Sequence, residues 1–518
     1  MKSNETQPHV NPWWIAVAVI VPTFLEVLDS TVVSVSLNHI AGNLSATTTE
    51  ATWVQTSYLI SNAVVLPASA WFASFFGRKR FLLACIAIFT LASCVCGAAT
   101  SLGLLIVARV AQGAGGGALQ PLSQAILLES FPPQKHGVAM AAWGLGILIA
   151  PVLGPVLGGW VTDDYSWRWL FFLNFPLGLL AIWMCNRFVF DPPYIRAAKP
   201  GRIDGIGFGL MTLWLGTLQI VLDKGQDADW FEAVWVRWFS VISVVAFIGF
   251  VFRQLSGSHP IADLRVFKNR NFAVGTVLIS IAAVVIYGPL TLLPLFLQGL
   301  MGYSALDSGM AQLWRGIGSF ITVPVVGMLI NHVDNRKLIA GGLLLLGLSG
   351  LGYGGFNLEV ARENLIWPTF VQGVGLGMCM IPLMTISMGM LKKEEMGNAA
   401  GIFALARNLA GSIGISLMVA METRAAQAHQ ADLVPHLTPF DMALQQTQQG
   451  LHATLSAQIG SMQAGELANG AIYRELSRQS HMLGYIDDFR WLAVLCFVVI
   501  PLAILLKRVI VKEPVAAH

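Results

Sequence analysis

Residues 24–37 read Phe-Leu-Glu-Val-Leu-Asp-Ser-Thr-Val-Val-Ser-Val-Ser-Leu, which places two carboxylic acids inside a long apolar run. On a helix, which turns by about 100° per residue, Thr23, Glu26, Asp29, Ser30 and Ser34 share an arc of roughly 140°. A carboxylate in hydrocarbon is costly, so it normally lines a cavity, finds a partner or takes up a proton. The stretch therefore predicts a membrane helix whose polar face lines a transport cavity and whose acids carry a proton.

The composition of the chain excludes a soluble protein. Of its 518 residues, 55% are hydrophobic and only 11% are charged, and the mean hydropathy is +0.66. These values predict an all-α, polytopic membrane protein. The sequence contains no phosphate-binding Gly-Lys-Ser/Thr loop, no Cys/His metal spacing and no nucleophile with an evident base. We therefore expect neither an enzyme nor a cofactor, and an ion gradient rather than ATP as the energy source.

Fourteen apolar runs are each long enough for a helix to cross about 30 Å of hydrocarbon. We number them spans 1 to 14, and they cover residues 13–36, 51–73, 80–98, 103–126, 138–160, 168–188, 205–222, 234–254, 272–298, 308–330, 337–356, 365–391, 398–421 and 489–507. Basic residues concentrate on one side of these spans, at Arg78, Lys79, Arg80, Arg196, Lys199, Arg202, Arg265, Lys268, Arg270, Arg336, Lys337, Lys392, Lys393, Lys507 and Arg508. By the positive-inside rule, both termini are predicted to be cytoplasmic.

An internal repeat divides the chain. Gln112 in span 4 and Gln372 in span 12 each begin a Gln-Gly-Xaa-Gly sequence, and Gly137 and Gly397 open spans 5 and 13. Both pairs are separated by 260 residues. Two parallel halves around a midplane cavity are typical of secondary transporters. The predicted organisation is a six-helix bundle over residues 1–190, a two-helix insertion (spans 7 and 8) over residues 191–260 and a second six-helix bundle over residues 261–518. The second bundle contains a long loop at residues 422–488.

Six short motifs follow one another in the order and spacing of a known family. They are Leu28-Asp29-Ser30-Thr31, Gly77-Arg78-Lys79-Arg80, Arg109 with Gln112 and Gly113, Pro151 with Gly154-Pro155 and Gly158-Gly159, Trp167-Arg168-Trp169, and Arg407-Asn408 with Gly411-Ser412. In these residues the chain resembles the 14-helix drug:proton antiporter (DHA2) family of the major facilitator superfamily, typified by EmrB and QacA. Ser74 and Phe75 stand where that family usually has Asp and Arg.

The resemblance implies a function. It implies a major facilitator fold in a bacterial inner membrane, proton-coupled export of hydrophobic or amphipathic drugs, and a place in a tripartite efflux system with an EmrA-like periplasmic adaptor and a TolC-like outer-membrane channel. It also implies that residues 77–80 form a gating loop and that the span 5 glycines and prolines form the antiporter motif. Two alternatives remain: a dedicated exporter of one amphipathic metabolite, such as a fatty acid, a bile-like compound or a siderophore, and a membrane-embedded enzyme or sensor.

Asp29 and Arg109 are the predicted centre of proton coupling. Each lies six or seven residues from the outer end of its span, so both should sit roughly 9 to 10 Å deep and meet. A nearby guanidinium favours the ionised acid, whereas desolvation favours the protonated one, so helix motion can alternate the protonation state. The alternative is a static ion pair. Glu26 shares the proton, binds cationic substrates or is structural, and the sequence leaves open which acid is the main carrier.

Other polar and aromatic residues are candidates for the cavity and its seams. If span 5 packs tightly through Gly154, Pro155, Gly158 and Gly159, it forms a seam between the halves, although ordinary small-residue packing explains the same glycines. We expect Arg315 to be structural, and we leave open whether Arg407 pairs with a backbone group or attracts an anion. The predicted cavity residues are Gln112, Tyr58, Tyr287, Phe403 and Arg407.

The loop at residues 422–488 differs from the other connections. It is rich in Gln, Ala and His, and Leu444, Leu451 and Leu455 recur with helical spacing. An insertion of this length suggests a partner or a lid, and the resemblance implies docking of the periplasmic adaptor. The alternative is a tether without a partner.

Overall fold

Helices are the only regular elements in the part of the chain that the structure describes. The computed structural model describes residues 11–132, 135–191, 204–257, 260–330, 332–389, 391–438, 440–459 and 461–506. The basic residues predicted for the sixth loop and for the end of span 14 lie outside these ranges: Arg196, Lys199, Arg202, Lys507 and Arg508. Within the described ranges, the predicted all-α fold class is confirmed.

The first six spans begin close to the predicted positions, but the span 1 helix continues to Asn43, beyond its predicted end at residue 36. Span 4 is broken after Gly116, and span 6 is interrupted at Leu173. Side chains cap some of the helices; for example, Ser101 accepts a hydrogen bond from the amide of Leu104 at the start of span 4. The helices are Pro12–Asn43, Trp53–Phe76, Arg78–Gly97, Leu102–Gly116 with Leu119–Ser130, His136–Asp164, and Arg168–Phe172 with Asn174–Phe188, and a short helix, Thr48–Ala51, precedes span 2.

Spans 7 and 8 and the six spans of the second half are also helices. Span 9 ends in a π-helix, Phe296–Leu300, just after Pro294. The helices of spans 7 to 14 are Gly205–Lys224, Val234–Ser256, Arg270–Leu295, Ala305–Leu329, Asn335–Tyr353, Arg362–Met388, Lys393–Leu433 and Ser461–Val499. Short 3₁₀ helices occupy Gln226–Ala228, Trp230–Glu232, Leu264–Lys268, Val434–His436 and Ile500–Leu505.

Twelve of the described helices are long and apolar enough to cross a membrane, so the protein is a multi-pass membrane protein. Spans 10 and 11 fall outside this group because Gln312 and Arg315 interrupt the first and Arg336 and Lys337 open the second, which lowers their mean hydropathy. Both are nevertheless helices of 25 and 19 residues that pack along span 12. The total of 14 crossings stays a prediction.

Matching glycines in the two halves make matching contacts. A Cβ at Gly113 in span 4 would lie 3.1 Å from the carbonyl carbon of Tyr58 in span 2 and closer still to its carbonyl oxygen. A Cβ at Gly373 in span 12 would lie 2.8 Å from the carbonyl carbon of Arg315 in span 10 and closer still to its carbonyl oxygen. Only glycine allows helices to approach this closely. The predicted sequence repeat therefore coincides with a repeat of helix packing, in which Tyr58 and Arg315 occupy equivalent positions.

The two halves touch near the end of the molecule that carries the loop between spans 2 and 3. Gly137 in span 5 packs against Gly327 and Ile330 in span 10. Gly397 in span 13 packs against Ala70 in span 2, with 3.6 Å between Ala70 Cβ and the position of a Cβ at Gly397. These two contacts, which we call the glycine seams, close one end of the space between the halves. The space continues toward the other end as a cavity.

Span 7 covers one side of the cleft between the halves. Asp223 and Lys224 at its C-terminal end bond to Thr56 and Thr52 of span 2. On the other half, the backbone oxygen of Leu222 accepts a hydrogen bond of 2.5 Å from Ser416 in span 13. Span 8 packs on span 7 and leaves most of its surface exposed. The inserted pair thus bridges spans 2 and 13 without joining either bundle.

The 422–488 segment is a set of helices rather than a loop, which corrects the predicted ends of spans 13 and 14. The span 13 helix continues to Leu433, the span 14 helix begins at Ser461, and Met442–Ile459 lies between them. His481 and Glu422 approach to 2.7 Å and tie the two extensions together. Hydropathy marks where a helix leaves hydrocarbon, but Ala, Gln, Glu and Arg are good helix formers and continue it beyond that point.

Candidate functional site

Asp29 and Arg109 form a buried ion pair inside the first bundle. Arg109 Nη1 lies 2.5 Å from Asp29 Oδ2, and the two residues are 0% and 3% exposed. The amides of Gln112 and Asn174 donate to Asp29 Oδ1 at 2.8 and 2.7 Å. Arg109 Nε donates to the backbone oxygen of Val54 at 3.0 Å. The depths read from the sequence brought these two residues together correctly, and spans 1, 2, 4 and 6 meet at this pair.

Tyr58 separates this ion pair from the cavity. Its ring centroid lies 4.1 Å from the guanidinium carbon of Arg109, which is a favourable cation–π distance. Tyr58 also lines the cavity, whereas neither Asp29 nor Arg109 does. The pair is therefore enclosed by protein on the side where substrate would enter.

The cavity between the halves has a volume of about 880 Å³. Its walls are mostly apolar, with residues such as Trp143, Leu376 and Met384, and its size lies in the range of sites for drug-sized molecules. Its lining includes residues at the ends of spans 1, 2, 9 and 10 that lie away from the loop between spans 2 and 3, among them His39, Gln55, Gln298 and Ser308. Because the glycine seams lie at the opposite end, the cavity extends toward the end from which the long helices project.

Glu26 is the one acid in the described cavity wall. It lies one helical turn before Asp29 but has a different environment. Its carboxylate accepts a hydrogen bond from Asn62 Nδ2 at 3.0 Å and another from Gln120 Nε2 at 2.7 Å. Both partners are amides that can rotate, and no cation pairs directly with Glu26 within the described ranges. The two acids of span 1 therefore divide between an enclosed ion pair and the cavity wall.

Gln120 connects Glu26 to the other half of the protein. Its amide nitrogen donates to Glu26, and its amide oxygen accepts from Arg407 Nη2 of span 13. Arg407 Nε makes a longer bond of 3.4 Å to the Asn408 side chain. The series Glu26, Gln120 and Arg407, which we call the cavity clasp, thus runs from span 1 through span 4 to span 13. Any change in the charge of Glu26 acts on this connection between the halves.

The predicted cavity residues divide into two groups. Tyr58, Tyr287 and Arg407 line the cavity as expected. Gln112 does not, because it is held by Arg109 and Asp29, and Phe403 does not, because it is fully buried in the core. The sequence reading missed Asn62, Gln120, Gln312 and Arg315 as cavity residues. Each of these four is a polar side chain within an apolar span, and that feature of the sequence could have identified them as cavity residues.

The antiporter motif packs within the first half and not between the halves as expected. A Cβ at Gly154 would lie 2.7 Å from Thr31 Cβ, and one at Gly158 would lie 3.0 Å from the backbone oxygen of Val32. Gly159 and Pro151 line the cavity, and the side chain of Pro155 lies outside the described part. Gly154 and Gly158 hold spans 1 and 5 together. Span 5 contacts the other half elsewhere, at Gly137 against span 10 and at Gly144 against Ile381 of span 12.

The predicted gating loop of residues 77–80 is instead a turn at Gly77 followed by the first turn of the span 3 helix, Arg78–Gly97, and it is anchored to the first half. Gly77 has a φ of +86°, a conformation that favours glycine. Arg78 pairs with Glu129 at 2.6 Å, and the Lys79 amide donates to Asp191 at 2.7 Å. Arg80 is exposed. Near the turn, Phe75 stacks on Trp71 where the resembling family has a charged side chain.

Comparisons with known proteins agree with this architecture. Residues 19–415 match the sequence profile of the Major Facilitator Superfamily. The chain is 34% identical over 494 residues to the fatty acid resistance protein FarB of Neisseria gonorrhoeae, covering 95% of this chain and 96% of FarB. It is 33% identical over 486 residues to the multidrug export protein EmrB of Escherichia coli (strain K12), covering 93% of each.

Two solved structures share the fold. The human organic anion transporter MFSD10 (TETRAN) matches with a TM-score of 0.59 over 95% of this chain and 100% of its own. A double Trp mutant of XylE matches with a TM-score of 0.61 over 96% and 99%. Both are 14% identical to this chain, so they support the fold alone. The chain therefore belongs to the major facilitator superfamily, and it is a membrane transporter similar to the EmrB multidrug export proteins, not an enzyme.

Proposed function

We propose that the protein is a proton-coupled antiporter of a bacterial inner membrane that exports hydrophobic and amphipathic compounds, with both termini cytoplasmic. The single observation that carries the proposal is the position of Glu26, an acid in the wall of a substrate-sized cavity and part of a clasp between the halves. The cavity has the mixture of apolar walls and few polar groups that suits amphipathic molecules. FarB is named for fatty acid resistance and EmrB for multidrug export, which supports the same substrate class.

Glu26 is the better candidate for the proton carrier of the two acids in span 1. Asp29 has its charge balanced by Arg109 and is shielded from the cavity by Tyr58. Protonation of Asp29 would leave a fully buried guanidinium without a counter-charge, which is costly. Glu26 faces the cavity and is held by two amides, and Arg407 reaches it through Gln120, so protonation of Glu26 breaks no direct ion pair. The Asp29–Arg109 pair then positions span 1 and does not itself release the proton.

Protonation of Glu26 changes the clasp between the halves. An ionised Glu26 accepts hydrogen bonds from both Asn62 and Gln120, and Gln120 in turn holds Arg407. A neutral carboxyl is a weaker acceptor, so Gln120 and Arg407 rearrange and the halves can move relative to each other. The rearranged wall no longer fits the same substrate, and proton and substrate therefore occupy the cavity in turn. This exclusion is the requirement for antiport.

The projecting helices are the proposed docking site for an EmrA-like adaptor, which would pass substrate to a TolC-like outer-membrane channel. Spans 13 and 14 extend beyond the predicted hydrocarbon limits and carry the helix Met442–Ile459. Two large apolar side chains are exposed where this helix begins: Phe440, just before it, is 90% exposed, and Met442, its first residue, is 74% exposed. Exposed apolar side chains at a protruding tip favour contact with a partner.

Transport by the purified protein tests this function. The full chain is reconstituted into proteoliposomes, and accumulation of a fluorescent amphipathic dye is followed after a pH gradient is imposed. We expect accumulation while the gradient lasts and its loss when nigericin collapses the gradient. Accumulation that is the same with and without the gradient would show that the transporter is not proton-coupled.

A further inference from the structure

Arg315 of span 10 is a buried cation that the described part of the chain leaves without a counter-charge. It is 6% exposed and lines the cavity. Its one side-chain hydrogen bond joins Nη2 to Gln312 Oε1 at 2.8 Å, and no carboxylate lies within ion-pair distance among the described residues. A guanidinium has five N–H donors, so most of the hydrogen-bonding capacity of Arg315 is unused by protein.

The first half shows how this protein treats a buried arginine that has a structural role. Arg109 is paired with a carboxylate, bonded to Gln112 and to a backbone oxygen, and covered by Tyr58. Arg315 occupies the packing position equivalent to Tyr58 and has none of these partners except one amide. Burial of an unpaired charge is strongly unfavourable. The structural role expected from the sequence therefore does not account for Arg315.

Neighbouring groups on span 10 complete a polar stripe. Ser308, Gln312, Arg315 and Ser319 recur at helical spacing, so they share one face, and all four line the cavity. The hydroxyl of Ser308 is buried and has no hydrogen-bond partner among the described residues. A hydroxyl, an amide and a guanidinium in one row can all donate to the oxygens of an anion.

The balance of charge in the cavity also favours an anion. Its described lining contains two arginines, Arg315 and Arg407, but one acid, Glu26. Arg407 is connected through Gln120 to Glu26 and therefore belongs to the cavity clasp. Arg315, which lies in the same half as Arg407, is bonded only to Gln312 among the described residues and remains available. Apolar residues of span 12, including Leu376 and Met380, line the same cavity and offer a surface for a hydrocarbon tail.

We propose that Arg315, with Gln312 and Ser308, binds the carboxylate headgroup of an amphipathic organic anion, whose tail lies along the apolar wall. The proposal rests on the function proposed above and adds the charge class of a substrate and the residues that recognise it. A guanidinium fits a carboxylate in a two-bond arrangement that an amide cannot reproduce.

Two probes with the same tail and opposite headgroups test the proposal. Binding of dodecanoate and of dodecyltrimethylammonium to the full-length protein in nanodiscs is measured below the micellar range by calorimetry. We expect the wild type to bind dodecanoate more tightly than the cation. Arg315→Gln should weaken dodecanoate binding by about tenfold or more, as expected for loss of a charged hydrogen bond. The affinity of Arg315→Gln for the cation should stay within about twofold of the wild-type affinity, because the substitution removes no contact to the cation.

Matched variants separate recognition from folding. Arg362→Gln, at an exposed arginine outside the cavity that pairs with Asp307, is the control and should bind both probes as the wild type does. Ser308→Ala should weaken dodecanoate binding severalfold and so tests the site even if Arg315→Gln does not fold. A wild type that prefers the cation, or an Arg315→Gln variant that binds dodecanoate normally, would overturn the anion site alone. Failure to bind either probe would count against the proposed function as well.

Discussion

Glu26 and Asp29 lie one turn apart on the same helix but have different partners. Asp29 shares its charge with Arg109 inside the first bundle, and Glu26 is held by Asn62 and Gln120 at the cavity wall. Two identical functional groups can therefore have separate roles, because the environment decides which of them changes protonation state.

Removal of the Asp29 charge should destabilise the protein. Asp29→Asn leaves Arg109 buried without its partner, which costs about 3–5 kcal/mol. Thermal unfolding in detergent should show a clear decrease in melting temperature for Asp29→Asn and a much smaller change for Glu26→Gln. The double variant Asp29→Asn with Arg109→Gln should recover part of the loss. Equal melting temperatures for Asp29→Asn and the wild type would argue against a structural role for the pair.

The sequence predicted the ion pair but only part of the cavity wall, namely Tyr58, Tyr287 and Arg407. Asp29 and Arg109 could be paired because depth along a straight helix follows directly from residue number. Gln112 and Phe403 were assigned to the wall, and Arg315 to structure, because the direction of a side chain depends on how its helix is rotated against its neighbours. That rotation is set by packing contacts such as those of Gly113 and Gly373, which join residues far apart in the chain.

At the scale of elements, glycines determine which helices approach closely. Span 5 meets span 1 through Gly154 and Gly158 and meets span 10 through Gly137. The sequence predicted a tight seam from these spacings but could not identify the partner helix. The extended spans 13 and 14 show a similar limit, because hydropathy reports where hydrocarbon ends and not where a helix ends.

Substitution of Gly154 should impair transport much more than substitution of Gly159. A methyl group at Gly154 would collide with the side chain of Thr31, whereas a methyl group at Gly159 meets no atom within 4 Å. Overpacking of this kind typically costs about 1–3 kcal/mol. Dye efflux should fall severalfold in Gly154→Ala and stay near the wild-type rate in the matched variant Gly159→Ala. The same rate in both variants would show that spans 1 and 5 do not require close contact.

A charge introduced at the exposed tip should leave transport by the purified protein unchanged but lower the resistance that the protein gives to cells. Phe440→Glu changes a side chain that contacts little of the protein, so efflux by proteoliposomes should match the wild type. Resistance of cells to a transported toxic compound should decrease, because a charge in an apolar contact disfavours adaptor docking. Unchanged resistance would indicate that this tip is not the docking surface.

For the whole molecule, the glycine seams define the state of the transporter. They close the end that carries residues 77–80, and the cavity extends to the opposite end. With the proposed topology, this is an outward-open arrangement. Transport requires the seams to separate as the halves move, so a covalent link across a seam should hold the protein in this state.

A disulfide between spans 2 and 13 tests that requirement. Ala70 Cβ lies 3.6 Å from the position of a Cβ at Gly397, which is within the range of disulfide geometry. In a background without other cysteines, oxidised Ala70→Cys with Gly397→Cys should retain substrate binding but lose more than about 90% of transport. Dithiothreitol should restore the rate. Normal transport by the fully cross-linked protein would contradict rigid-body motion at this seam.

The most direct test of the central claim, that Glu26 carries the proton, is to compare two transport modes of Glu26→Gln in proteoliposomes. One mode is substrate accumulation driven by a pH gradient, and the other is exchange of labelled for unlabelled substrate without a gradient. Glu232→Gln, at an exposed glutamate outside the cavity, is the matched control. We expect Glu26→Gln to lose gradient-driven accumulation and to keep exchange, while the control keeps both. Gradient-driven accumulation by Glu26→Gln at the wild-type rate would contradict the claim.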